Sequence, residues 1–131
     1  MIVLDTHALV WWVNKSDRLS DTASALIEKE RKDGQIIISS ITAWEVSLLV
    51  SKGRLKLSMD VDSWLNLASQ IENLEFLPLG NKVLIESTRL PGAFHKDPAD
   101  RMIVAQARVL SAPLVTVDER IQAYPQVKTI W

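Results

Sequence analysis

Four acids, Asp5, Glu45, Asp100 and Asp118, stand on or beside the boundaries of apolar segments spread along the whole chain. Carboxylates that meet in one crevice repel each other unless cations neutralise them. Hard divalent ions accept such oxygen ligands, and magnesium keeps water in its shell. The chain contains no Cys and two His. Disulfides and thiolate sites are therefore excluded, and a His-rich zinc site is disfavoured. If the four acids meet, the chemistry they point to is the binding of Mg2+ or Mn2+ by carboxylate oxygen.

Each acid also has a structural explanation. Asp5 follows the all-apolar Ile2-Val3-Leu4 and precedes a helical stretch from Thr6 to Trp12, so it suits the N-cap of that helix. Glu45 lies one helical turn from Ile41, Leu48 and Leu49, on the apolar stripe, where a carboxylate needs a cation or donors. Its alternative is a capping box, Thr42-Ala43-Trp44-Glu45, which requires Thr42 to be the cap. Capping by Ser39 or Ser40 instead leaves Thr42 inside the helix and Glu45 facing the site, the reading adopted here. In Asp97-Pro98-Ala99-Asp100, Asp97 suits an N-cap, Pro98 the first helical position, and Asp100 the third, near the positive end of the dipole. The helix they open, Met102-Ile103-Val104-Ala105 onward, is apolar nearly all round, so its N-terminus faces a crevice rather than open solvent. Asp118 follows Leu114-Val115-Thr116-Val117 and also suits a cap.

These acids need a scaffold that brings the ends of distant segments together. Short apolar runs at 2–4, 36–38, 74–77, 114–117 and 127–130 have strand character. Helical stretches alternate with them, at 41–51, 60–71, 81–90, 98–110 and 119–123 among others. The alternation predicts an α/β fold, a three-layer α/β/α sandwich with a mainly parallel central sheet. Ligand crevices of such sheets lie beyond the carboxyl ends of the strands, where Asp5 and Asp118 fall. A chain of 131 residues suits one domain, 1–131, with a real core. No apolar run approaches a membrane span, and the N-terminus has no basic leader, so a soluble, cytoplasmic protein is expected.

The net charge of −1 gives no global field for a polyanion, so any such contact requires a local basic rim. Candidates are Lys52, Arg54 and Lys56 in the turn around Gly53, and Lys96 with Arg101, of which Arg101 directly follows Asp100. Trp11 and Trp12 are adjacent on a helix, so one is expected in the core and the other at an interface.

Taken in order, Val3-Leu4-Asp5-Thr6-His7-Ala8, Ser39-Ser40-Ile41-Thr42-Ala43-Trp44-Glu45, His95-Lys96-Asp97-Pro98-Ala99-Asp100-Arg101-Met102-Ile103-Val104-Ala105-Gln106-Ala107 and Leu114-Val115-Thr116-Val117-Asp118 resemble a PIN domain. More narrowly they resemble the VapC toxins of bacterial toxin–antitoxin pairs. The resemblance implies an acidic site at Asp5, Glu45, Asp100 and Asp118, supported by Thr6, Ser39, Asp97 and Thr116. It implies a ribonuclease dependent on Mg2+ or Mn2+ that cleaves RNA by metal-activated water. It also implies a small VapB-like antitoxin as partner, and a homodimer. Two alternatives stand beside it: a binding domain whose acids only cap helices, or a phosphate-handling domain with Asp5 as nucleophile. Against the second, position 7 is His rather than Asp, and no Asp follows Ile36-Ile37-Ile38.

Overall fold

A computed structural model describes residues 1–131. The strands are β1 (Ile2–Leu4), β2 (Ile36–Ser39), β3 (Leu74–Leu77), β4 (Leu114–Val115) and β5 (Thr129–Ile130). They form one sheet of order β3-β2-β1-β4-β5 in which every neighbouring pair is parallel. The helices are α1 (Thr6–Val13), α2 (Asp21–Asp33), α3 (Ile41–Ser51), α4 (Val61–Ser69), α5 (Asn81–Thr88), α6 (Pro98–Leu110) and α7 (Glu119–Gln122).

Side chains of a strand alternate between faces, and the core divides accordingly. Ile2 and Leu4 of β1 join Ile36, Ile38 and Val115 on one face, packed with Leu9, Ile27, Val46 and Trp64 from α1 to α4. Val3, Ile37 and Leu114 point the other way and pack with Val83, Ile103, Val104 and Ile121 from α5, α6 and α7. The sheet is thus covered on both sides, which is why the central strand β1, its neighbour β4 and β2 up to Ser39 are apolar instead of alternating with polar residues. Three layers result, as the alternation of segments predicts.

The chain runs from β1 outward through β2 to β3, then crosses back to place β4 on the other side of β1. At such a switch point the connections leaving β1 and β4 diverge, opening a crevice at their carboxyl ends. The register sets Leu4 beside both Ile38 and Val115, so Asp5, Ser39 and Thr116 emerge at one level.

Some boundaries differ from the sequence reading. β4 ends at Val115 rather than at residue 117, because the chain turns at once into α7 and Thr116 Oγ1 accepts the Asp118 N–H at 3.0 Å. α3 is capped at Ser40 with no side-chain bond, which leaves Thr42 buried within the helix and the capping box unformed. No helix is long and apolar enough to cross a membrane.

Candidate functional site

Asp5, Glu45, Asp97, Asp100 and Asp118 line one crevice of about 540 Å³ beyond β1 and β4, together with Thr6, His7, Arg54 and Arg120. Three of these acids cap helices and still face the crevice, because a carboxylate has two oxygens. Asp5 Oδ1 accepts the Ala8 N–H of α1 at 2.8 Å, while its Oδ2 accepts the buried Thr116 hydroxyl. Asp118 Oδ1 accepts the Arg120 and Ile121 N–H groups of α7, leaving Oδ2 toward the crevice. Asp97 Oδ1 accepts the Asp100 N–H of α6 at 3.0 Å. Capping and clustering are therefore compatible: one oxygen anchors the helix and the other belongs to the site.

Glu45 and Asp100 cap nothing. Glu45 sits on the inner side of α3, half-buried, with Oε1 accepting the Thr6 hydroxyl at 2.7 Å. Thr6 also meets the buried Thr42 hydroxyl at 3.1 Å, so the two threonines form the polar floor beneath Glu45. Asp100 Oδ2 lies 3.2 Å from His95 Nε2, yet off the N–H direction, so the contact is electrostatic rather than a directed hydrogen bond. His95 Nδ1 accepts the Asp97 N–H at 3.4 Å, which assigns the ring proton of the neutral imidazole to Nε2.

The electrostatics match a group of acids sharing too little charge compensation. Burial pushes Asp5 up to about 6, against the lowering effect of the Thr116 hydroxyl and the Ala8 N–H. Burial, then the charges of Asp97, Asp118 and Glu45, push Asp100 up to about 7, with Arg120 opposing. Glu45 is raised by burial and by Asp97, and held down by Thr6. A cation would reverse this pressure. The donor set is carboxylate oxygen with no thiolate, which fits a hard divalent ion. The acids line the walls rather than converging, and no three of the His, Asp and Glu side chains form a ready-made cage. Ligation by three of them requires side-chain movement.

The supporting residues divide. Thr116 links Asp5 to the Asp118 backbone, and Thr6 holds Glu45. Ser39 is fully buried and its Oγ accepts the Ile41 N–H at 3.4 Å, so it serves the entry to α3 rather than the crevice surface.

Of the five basic candidates, only Arg54 lines the crevice. Arg101 points elsewhere: its guanidinium donates to the Ser87, Phe94 and His95 carbonyls at 2.8 to 3.2 Å, fixing the 89–97 loop against α6. Lys96, Lys52 and Lys56 are exposed and outside the crevice lining. Two polar crevice residues were not singled out from sequence, Arg120 and His7. Arg120 had a signal, since it falls two residues after an acid that caps a short helix and so must lie beside it. The tryptophan expectation also changes. Trp11 and Trp12 both pack half-buried on one core and both line a second groove of about 660 Å³ with Val13, Leu19 and Ile71. Adjacent helical residues diverge by about 100°, and this groove is wide enough to take both rings.

Comparison with known proteins agrees with this architecture. The family model described as "PIN domain" matches residues 2–127. Ribonuclease VapC22 from Mycobacterium tuberculosis (strain ATCC 25618 / H37Rv) is 33% identical over 133 residues, covering 99% of this chain and 98% of that protein. The structure of VapBC2 from Rickettsia felis bound to a DNA fragment from their promoter superposes with a TM-score of 0.73 at 26% identity, covering 99% of this chain and 98% of that one. FitAcB from Neisseria gonorrhoeae shares the fold, with a TM-score of 0.69 at 21% identity over 100% of this chain and 97% of that one.

Proposed function

The chain belongs to the PIN domain family, and from that premise we propose that it is a divalent-metal-dependent endoribonuclease, the toxin of a toxin–antitoxin pair. The observation that carries the proposal is the meeting of Asp5, Glu45, Asp100 and Asp118, from four separate elements, in the crevice at the switch point of the sheet. A relative called a ribonuclease, similar over nearly the full length of both chains, supports RNA as substrate. The VapBC2 complex supports a small VapB-like protein as partner.

In this reading the four carboxylates hold Mg2+ or Mn2+, with Thr116 and Thr6 keeping Asp5 and Glu45 oriented. Such an ion, when bound, would supply Lewis acidity toward a phosphodiester and would make its water a stronger nucleophile. The chain supplies the rest. Arg54 and Arg120 at the crevice offer charge to RNA phosphates, which the acids alone would repel. The groove walled by Trp11 and Trp12 offers apolar surface to the partner, and Trp44, 55% exposed on α3, offers surface for a homodimer.

The helix-cap alternative accounts for Asp5, Asp97 and Asp118, whose side chains do cap helices. It leaves Glu45 and Asp100 without a reason, since neither caps a helix and half-buried carboxylates with no cation are costly. The deciding experiment is cleavage of a structured RNA pool in Mn2+ or Mg2+ by wild type and Asp100→Asn, with a chelator control. Metal-dependent cutting lost in a folded variant is the expected result. A folded wild type that binds no Mn2+ at a stoichiometric site would instead establish the caps-only domain.

A further inference from the structure

Arg120 is the only lysine or arginine within ion-pair distance of a crevice carboxylate. A single nitrogen, Nη2, stands 3.8 Å from Asp100 Oδ2 and 3.7 Å from Asp118 Oδ2. It thus lies between acids contributed by α6 and by the β4–α7 turn. Its backbone is fixed at the site, because its own N–H donates to Asp118 Oδ1 at 2.9 Å. Its head is not: the side chain is 64% exposed, while those of Asp100 and Asp118 are 19% and 28% exposed.

Arg101, nineteen positions earlier, shows by contrast what a fixed arginine looks like here, with three backbone carbonyls on its guanidinium. Arg120 accepts no such restraint, and its two contacts are long and open to water, the kind that holds weakly. A tethered cation with a mobile head therefore stands where the acids most need positive charge.

We propose that Arg120 is an internal counter-cation of the crevice, resting between Asp100 and Asp118 until a divalent ion takes its place, and then transferring to an RNA phosphate. The inference rests on the ribonuclease reading of this site. Two cations drawn to the same oxygens exclude each other by Coulomb repulsion. Released from the acids, the guanidinium has a planar fork of donors suited to phosphate oxygens. Binding of the ion and capture of the RNA backbone are thereby linked through one side chain. Asp100 and Asp118 are partly compensated before the ion arrives, and the phosphate-binding charge is freed only once it has.

The linkage has a signature that a purely structural role lacks, because removing Arg120 changes the two affinities in opposite directions. The experiment uses the full chain as wild type, R120A and R120K. Mn2+ is titrated by calorimetry at low salt. Binding of a single-stranded RNA oligonucleotide, shown intact by gel, is measured by fluorescence anisotropy in Ca2+ and again in chelator. R120A is expected to bind Mn2+ about threefold to tenfold more tightly, and R120K, which keeps the charge, about as wild type. R120A is expected to bind RNA several-fold more weakly in Ca2+ but equally in chelator. Its slope of log affinity against log salt should be smaller by about 0.7, the value for one phosphate contact to a single strand. Equal or weaker Mn2+ binding by R120A overturns the inference while leaving the metal site standing. An RNA defect of the same size in chelator also overturns it, since Arg120 would then be free before the ion binds. Absence of stoichiometric Mn2+ binding by wild type removes the ribonuclease reading itself.

Discussion

Thr116 shows how much one hydroxyl can organise. It is fully buried, donates to Asp5 Oδ2 and accepts the Asp118 N–H, so two acids 113 positions apart in the chain are oriented through a single oxygen. Its bond to Asp5 favours the ionised carboxylate against the pressure of burial. Thr116→Val is nearly isosteric and removes that support together with the acceptor of the Asp118 N–H. The Asp5 pKa should then rise further above its value of about 6, and Mn2+ affinity at pH 7 should fall about 10-fold to 100-fold. Titrating Mn2+ from pH 6 to 8 checks this, since raising the pH should recover part of the loss. A variant matching wild type at every pH would show that Asp5 needs no such support. The acids themselves were legible in sequence because each follows or punctuates an apolar run. The direction of a long side chain was not. Arg101 directly follows Asp100 in sequence, yet helical neighbours diverge, and three carbonyls of the preceding loop and of α5 hold its guanidinium away from the crevice.

At the scale of elements, the crevice depends on α6 starting where it does. Asp97 caps its N-terminus, Pro98 occupies its first turn, and Arg101 ties that turn to the residues before it. Asp97→Ala should cost about 1 kcal/mol through the lost cap. Arg101→Ala should cost more, about 2 kcal/mol or above, by leaving carbonyls of the 87–95 segment without their charged donor. Urea denaturation measures both. In a folded Arg101→Lys variant the salt dependence of RNA binding should match wild type, and a reduced slope would mean that Arg101 reaches phosphate after all. The α/β order and the parallel sheet were readable from alternating apolar and helical segments. The ends of β4 and β5 were not, because their short pairing is set by where the chain must turn into α7, not by apolar character, which continues through Val117.

For the whole molecule, the crevice makes stability depend on pH in a defined direction. Asp5, at about 6, and Asp100, at about 7, have folded pKa values above the ordinary 3.8. Between those limits the folded chain holds protons that the unfolded chain releases. Their stabilising contribution is therefore complete below about pH 4 and is lost as the pH rises through 6 and 7. Glu28, lowered by its bond to Arg31, and Asp60, lowered by the Ser63 N–H, act oppositely, contributing above their ordinary values and losing that contribution in acid. Without metal, the melting temperature should accordingly decline from about pH 5 to pH 8 through the crevice acids. Saturating Mn2+ should raise it more at pH 8 than at pH 5, because the ion binds the deprotonated carboxylates. Thermal melts across that range test this, and an Mn2+ effect larger at pH 5 would contradict it.

The position of β1 has a further consequence, for the making of the protein. Its two sheet partners are β2, encountered a few dozen residues later, and β4, whose Leu114 pairs with Val3. During synthesis the central strand therefore waits with one edge open until most of the chain has been made. Asp118, its cap on α7 and the Thr116 bridge come later still. Closure of β4 onto β1 is a contact of long sequence separation, the slow kind in folding. A nascent chain carries Asp5 and Glu45 early but lacks Asp118 until β4 has been made. The acidic site proposed here is thus assembled only after β4 and the turn into α7 have been made.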